Sequence, residues 1–165
     1  MIVKEIRDED FTSYKKPSMV IGFPSCTFKC ERECGCKDMC QNLALATAPN
    51  IEISFDSIVD RYLKNPITKA IIMAGLEPFD SPLALPELIE EFRKHTNDDI
   101  VIYTGYREEE LLYGFASLKE AYDKIKQFKN IIIKFGRFVP NQQPHYDEVL
   151  GIKLASDNQY AERIS

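Results

Sequence analysis

Outside one short stretch, the 165-residue chain has no cysteine at all. The cysteines it does have are odd in number and bunched together, which is not the pattern of a disulfide framework. No apolar run approaches the length needed to span a bilayer, and Met1 to Asp10 lacks the charged-then-apolar pattern of a signal peptide. The expected setting is therefore the cytosol, with no membrane partner. A basic excess is also missing: the net charge is -5 and the pI about 5.2. Without surplus cations to replace phosphate counterions, nonspecific nucleic-acid binding is excluded, and a protein or small-molecule partner is expected. There is no internal repeat, low-complexity segment or interdomain linker. With 44% hydrophobic residues, the chain reads as a single domain over residues 1–165 with one core.

What is present is concentrated. Cys26, Cys30, Cys34, Cys36 and Cys40 fall within fifteen consecutive residues. Thiolates are soft ligands, and several in one loop call for zinc or an iron–sulfur cluster. A structural zinc site usually draws close pairs from separate knuckles, so this single loop is not its natural match. Three thiolates on a four-iron cluster would leave one iron open to a further ligand.

The flanking sequence supplies a frame. Apolar runs at Met19–Phe23, Ala70–Ala74, Asp99–Tyr103 and Asn130–Lys134 read as buried strands, with a last short one near Gly151–Leu154. Between them, helical spacing is read over Phe55–Leu63 behind Ser54, from Ser81-Pro82 to His95, over Glu108–Tyr113 and over Leu118–Phe128. The segment from Gly136 to Gly151 reads as irregular and the C-terminus as a turn of helix. Buried strands alternating with helices indicate an α/β class of parallel βα units. A closed eight-stranded barrel needs roughly 250 residues, so a partial barrel or an open sheet remains. In either, loops after the strands gather on one face. The cysteine loop (about 24–42), Gly75-Leu76-Glu77-Pro78, Thr104-Gly105-Tyr106 and Gly136-Arg137 are therefore expected to converge.

At these residues the chain resembles radical S-adenosylmethionine proteins, and among them the activating proteins of anaerobic ribonucleotide reductase. Cys26-Thr-Phe-Lys-Cys30 keeps the first cysteine spacing, and Cys40-Gln41-Asn42 is similar to the end of the family's loop. Ala74-Gly75-Leu76-Glu77-Pro78 resembles the glycine-rich turn after the second strand. Tyr103-Thr-Gly-Tyr106 with Glu109-Glu110-Leu111, Gly136-Arg-Phe138 and Ser156-Asp-Asn-Gln159 resemble segments of the activating subgroup. Two features depart from the pattern: nine residues separate Cys30 from Cys40, and Leu76 stands where a second glycine is common.

The resemblance implies a shortened partial (βα) barrel of radical S-adenosylmethionine type, with parallel strands and flanking helices. It implies a [4Fe-4S] cluster on Cys26, Cys30 and Cys40, with Cys34 or Cys36 as rival ligands. Contacts to S-adenosylmethionine are implied at Gly75, Glu77, Pro78, Tyr103, Thr104 and Asn158. The implied activity is reductive cleavage of S-adenosylmethionine to methionine and a 5′-deoxyadenosyl radical, which takes hydrogen from a glycine of the reductase large subunit. A small electron donor such as flavodoxin or ferredoxin would reduce the cluster. Two other readings stand beside it: a radical enzyme acting on another protein or peptide, and a zinc-stabilised binding module without catalysis. Taken singly, Tyr103 and Tyr106 read as core or rim aromatics, Arg137 and Glu108–Glu110 as solvated charges, and Asp157-Asn158-Gln159 as a polar turn. Neither His95 nor His145 reads as catalytic.

Overall fold

The computed structural model describes residues 1–165. Its centre is a six-stranded sheet in the order β10 (Tyr160–Arg163), β7 (Ile131–Phe135), β6 (Asp99–Tyr103), β5 (Ala70–Gly75), β3 (Ser18–Phe23) and β2 (Glu5–Asp10). The inner strands β3, β5, β6 and β7 run parallel. Along each, side chains alternate between the two faces of the sheet. Met19, Ile21, Ile71, Met73, Ile100, Ile102, Ile131 and Ile133 enter the larger core. Val20, Ile72, Val101 and Ile132, in register across the strands, enter the smaller one. Burial on both faces explains why these segments read as continuous apolar runs.

Three ten-residue helices, α3 (Phe55–Lys64), α4 (Ala84–Arg93) and α6 (Ala116–Ile125), cover the larger core. Ser54 caps α3 by accepting the Ser57 amide hydrogen at 3.1 Å, while Ile58, Val59 and Tyr62 turn inward. Helix α4 begins at Ala84 rather than at Ser81-Pro82, because a 3-10 turn over Pro78–Asp80 occupies the preceding backbone. No helix is long and apolar enough to cross a membrane. The opposite face has no helix. It is covered by Tyr14, Leu150 and Leu154, the last on the small antiparallel pair β8 (His145–Asp147) and β9 (Ile152–Leu154).

Both sheet edges differ from the sequence reading. Strand β2 (Glu5–Asp10) pairs antiparallel with β3, and β10 (Tyr160–Arg163) pairs antiparallel with β7, where a turn of helix was expected. Tertiary partners select the extended form of β10. Asp147 accepts the Ala161 amide hydrogen at 2.9 Å, the Tyr160 ring lies 5.3 Å from that of Phe135, and Arg163 donates to Asp99 at 2.9 Å. The charged residues of these edge strands discourage pairing with other chains. A further short pair joins β1 (Ile2–Val3) to β4 (Ile51–Glu52).

At Gly75 the chain leaves β5 with φ +88°, and a Cβ there would lie 2.7 Å from Gly22 Cα and 2.9 Å from Phe23 N. Both obstacles are backbone and cannot rotate away. Gly75→Ala is expected to cost about 2 kcal/mol, lowering the thermal midpoint by about 6 °C; an unchanged midpoint in differential scanning calorimetry would refute the close approach.

Candidate metal centre

The cysteine loop leaves β3 and is pinned to the carboxyl ends of the parallel strands. The Thr27 amide donates to Asp80 Oδ2 at 2.7 Å, and Asp80 Oδ1 accepts the Tyr106 hydroxyl hydrogen at 2.6 Å. Phe28 adopts a left-handed conformation and its amide donates to Cys26 Sγ at 3.2 Å. Helix α1 (Lys29–Cys34) then runs outward. Gly35 and Asp38, both at positive φ, reverse the chain, and the Cys40 amide donates back to Glu31 at 3.2 Å. The nine residues between Cys30 and Cys40 are thus a helix and its return, and they bring Cys40 back beside Cys30. Asn42 donates from its amide side chain to the Gly75 carbonyl at 2.5 Å, ahead of α2 (Leu43–Thr47).

Cys26, Cys30 and Cys40 line one cavity of about 420 Å³; Cys34 and Cys36 do not. The four end-of-strand loops converge here as expected. Gly75, Glu77, Tyr103 and Thr104 line the cavity, as do Gly105, Tyr106, Gly136 and Arg137. Two residues named from the sequence stand back from it. Pro78 is buried in the 3-10 turn, and the Asn158 side chain donates to the Arg137 carbonyl at 2.9 Å. The neighbouring Gln159 lines the cavity in its stead.

Burial pushes the Cys26 thiol up to about 12, and the carboxylates of Glu77 and Asp80 add to the effect. Cys30 is raised by burial and by Cys40. Such thiols are poor free thiolates, and bound iron supplies the positive charge that stabilises their deprotonated form. No three His, Cys, Asp or Glu side chains converge tightly enough for one metal ion. Three thiols facing one cavity, with no imidazole in its walls, are a donor set that fits a four-iron cluster.

Charged side chains complete the walls. Glu77 is buried, accepting the Phe79 amide hydrogen at 3.1 Å and the Thr104 hydroxyl hydrogen at 2.8 Å on Oε1, and the Gly105 amide hydrogen at 2.8 Å on Oε2. Lys134 is also buried and donates only to the Gly136 carbonyl, at 2.7 Å; burial lowers its ammonium to about 8. Lys134 has no counterpart among the residues that the sequence singles out, although it is the single charge in the otherwise apolar Ile131–Phe135. Arg137, expected in solvent, is only 6% exposed. It forms a two-pronged pair with Glu110 at 2.7 and 2.8 Å and lies 3.4 Å from Glu33 of the cysteine loop. Lys29 sits 4.3 Å above the Tyr106 ring.

Burial alone would raise the Glu110 carboxyl, but the Arg137 guanidinium and the Arg107 amide hold it down to about 2. A carboxyl depressed on folding contributes stability above its unfolded value near 4.5 and loses it as pH falls toward 2. Glu110→Gln is expected to cost about 2 kcal/mol at pH 7 by taking the two-pronged counter-charge from a buried guanidinium and leaving it only the more distant Glu33. Urea unfolding at pH 7 and pH 3 checks it: the gap between wild type and variant must narrow in acid.

Searches of curated proteins and of solved structures return no match. A family model does match: that of the 4Fe-4S single cluster domain, over residues 19–159. The match runs from β3, just ahead of the cysteine loop, to Gln159 on the cavity wall, so it takes in all five cysteines and every loop after the parallel strands that lines the cavity. This is an iron–sulfur protein, and the chain belongs to the 4Fe-4S single cluster domain family.

Proposed function

We propose that this iron–sulfur protein is a radical S-adenosylmethionine activase that generates a glycyl radical on the large subunit of anaerobic ribonucleotide reductase. The observation that carries the reading is that three of the five cysteines line the cavity built by the loops after the four parallel strands. Cys26, Cys30 and Cys40 hold the [4Fe-4S] cluster in this reading, and one iron has no protein thiolate. When bound, the cluster supplies that open iron to the amino and carboxylate groups of S-adenosylmethionine, and an electron for cleavage of its carbon–sulfur bond.

The chain's own residues bind and orient. The Gly75 turn brings half-buried backbone to the cavity, and the Gly75 carbonyl, which accepts from Asn42, has a second lone pair for the ligand's amine. Lys134, a buried cation with one carbonyl partner, offers charge to the carboxylate. Glu77 holds the turn after β5 to the turn after β6 and so keeps both walls in register. Tyr103 donates its hydroxyl to the Ser13 carbonyl, which fixes the ring at the cavity edge. The six-stranded sheet is, in this reading, a shortened (βα) barrel whose open side admits the glycine-bearing loop of the partner, and a flavodoxin or ferredoxin is the electron donor.

The test is anaerobic. Reconstituted protein, a low-potential reductant, S-adenosylmethionine and the reductase large subunit are mixed and examined by electron paramagnetic resonance. A glycyl doublet that requires all four components is the expected result. Cofactor cleavage without a doublet would redirect the activity to another protein or peptide, and no cleavage would end the proposal.

A further inference from the structure

Two cysteines stand outside the cluster cavity. Cys34 closes α1 and is exposed, while Cys36 begins the return and is half-buried. Between them Gly35 takes φ +67° with open space where a Cβ would lie, so the chain doubles back within one residue. The Cys36 amide donates to Cys34 Sγ at 3.0 Å, and the Cys36 thiol lies 3.4 Å from the Cys34 carbonyl. The reversal at Asp38 then brings Met39 Sδ to 2.7 Å from Cys34 Sγ. The Cys34 thiol thus stands between the Met39 thioether and the Cys36 thiol, and no imidazole or carboxylate completes a three-ligand set with the two cysteines.

We propose that Cys34, Cys36 and Met39 form a second metal site, separate from the cluster, for the soft monovalent ion Cu(I). The donor set decides the ion. Calcium and magnesium require oxygen ligands, and structural zinc requires four ligands in a closed tetrahedron. Thiolate and thioether sulfur together select Cu(I). The ion enters without change of oxidation state, and each thiol that ligates it releases its proton to solvent. The position matters as much as the chemistry. Cys34 faces solvent, whereas Met39 also lines the cluster cavity next to Cys40.

The experiment uses iron-loaded protein under anaerobic conditions, with Cu(I) titrated in competition with the chromophoric chelator bicinchoninate. The wild type is expected to withdraw a single equivalent of Cu(I) while its iron content stays constant. Cys34→Ser/Cys36→Ser should keep its iron and lose that uptake, and Met39→Leu should weaken uptake without abolishing it. Undiminished uptake by the double serine variant, no uptake by the wild type, or unchanged affinity in Met39→Leu would each overturn the site. Loss of iron from the double serine variant before copper is added would also overturn it, by making one of the pair a cluster ligand.

Discussion

Replacing Cys26, Cys30 or Cys40 by Ala is expected to abolish the four-iron cluster, whereas Cys34→Ala and Cys36→Ala should retain it. The reason lies in the path of the loop. Helix α1 carries Cys34 to the outer tip, and the return through Gly35 and Asp38 brings Cys40 back to the cavity that Cys26 and Cys30 line. A cluster left with two protein thiolates on a solvent-accessible wall is poorly held, since those bonds supply most of its attachment. Iron analysis after anaerobic reconstitution reads the effect, together with the brown thiolate-to-iron absorbance. Full iron in Cys30→Ala would move the ligand set outward along the loop. The result separates iron binding from the reaction proposed above, because no S-adenosylmethionine is needed to obtain it.

The second large effect is expected at Glu77. Its carboxylate gathers three donors from two different turns; that of Gly105 is half-buried at the cavity, while the Phe79 amide and the Thr104 hydroxyl are buried and have no water as a ready substitute. Glu77→Ala would leave them unpaired at a cost of about 4 kcal/mol, a large share of a typical domain's stability. Chemical denaturation should show the midpoint shift, and a loss under about 1 kcal/mol would mean that the two turns are held by other contacts. The same residue has a pH signature. Burial pushes its carboxyl up to about 7 against the pull of its three hydrogen bonds. The folded protein therefore keeps a proton between pH 4.5 and 7 that the unfolded chain has released. The contribution of Glu77 is fully present below its unfolded value and declines as pH rises through 7. Glu77→Gln should remove that slope; its amide cannot accept the Gly105 hydrogen through nitrogen, so stability at neutral pH falls as well.

Much of the frame is legible in the residue order, for a physical reason. Parallel strands buried on both faces must be apolar throughout, and Met19–Phe23, Ala70–Ala74 and Asp99–Tyr103 announce themselves in that way. The order of strands and helices then implies that the loops after them meet. The edges are harder to read because their conformation is set by neighbours distant in sequence. Glu5–Asp10 and Tyr160–Arg163 carry too much charge to look like strands, and they become strands only against β3 and β7.

The same limit governs single side chains. Arg137 is a generic surface residue until Glu110, 27 positions earlier, is brought beside it. In Asp157-Asn158-Gln159 a polar cluster can be recognised from sequence, but which of two adjacent amides faces inward depends on the turn. Asn158 binds backbone and Gln159 reaches the cavity. The widened cysteine spacing is resolved by local geometry: a stretch that looks like an insertion is a helix with its return.

The attachment of that loop has a kinetic consequence. Neither α1 nor α2 buries a single residue, and the segment is held by polar contacts at Thr27, Glu31, Glu33 and Asn42. Few apolar contacts mean a low free energy of local opening. In the iron-free protein, the amides of residues 29–47 should exchange with deuterium far faster than those of the parallel strands, and iron loading should slow them selectively. The loop can then receive its cluster as an independent unit, while the sheet that forms the opposite wall stays folded.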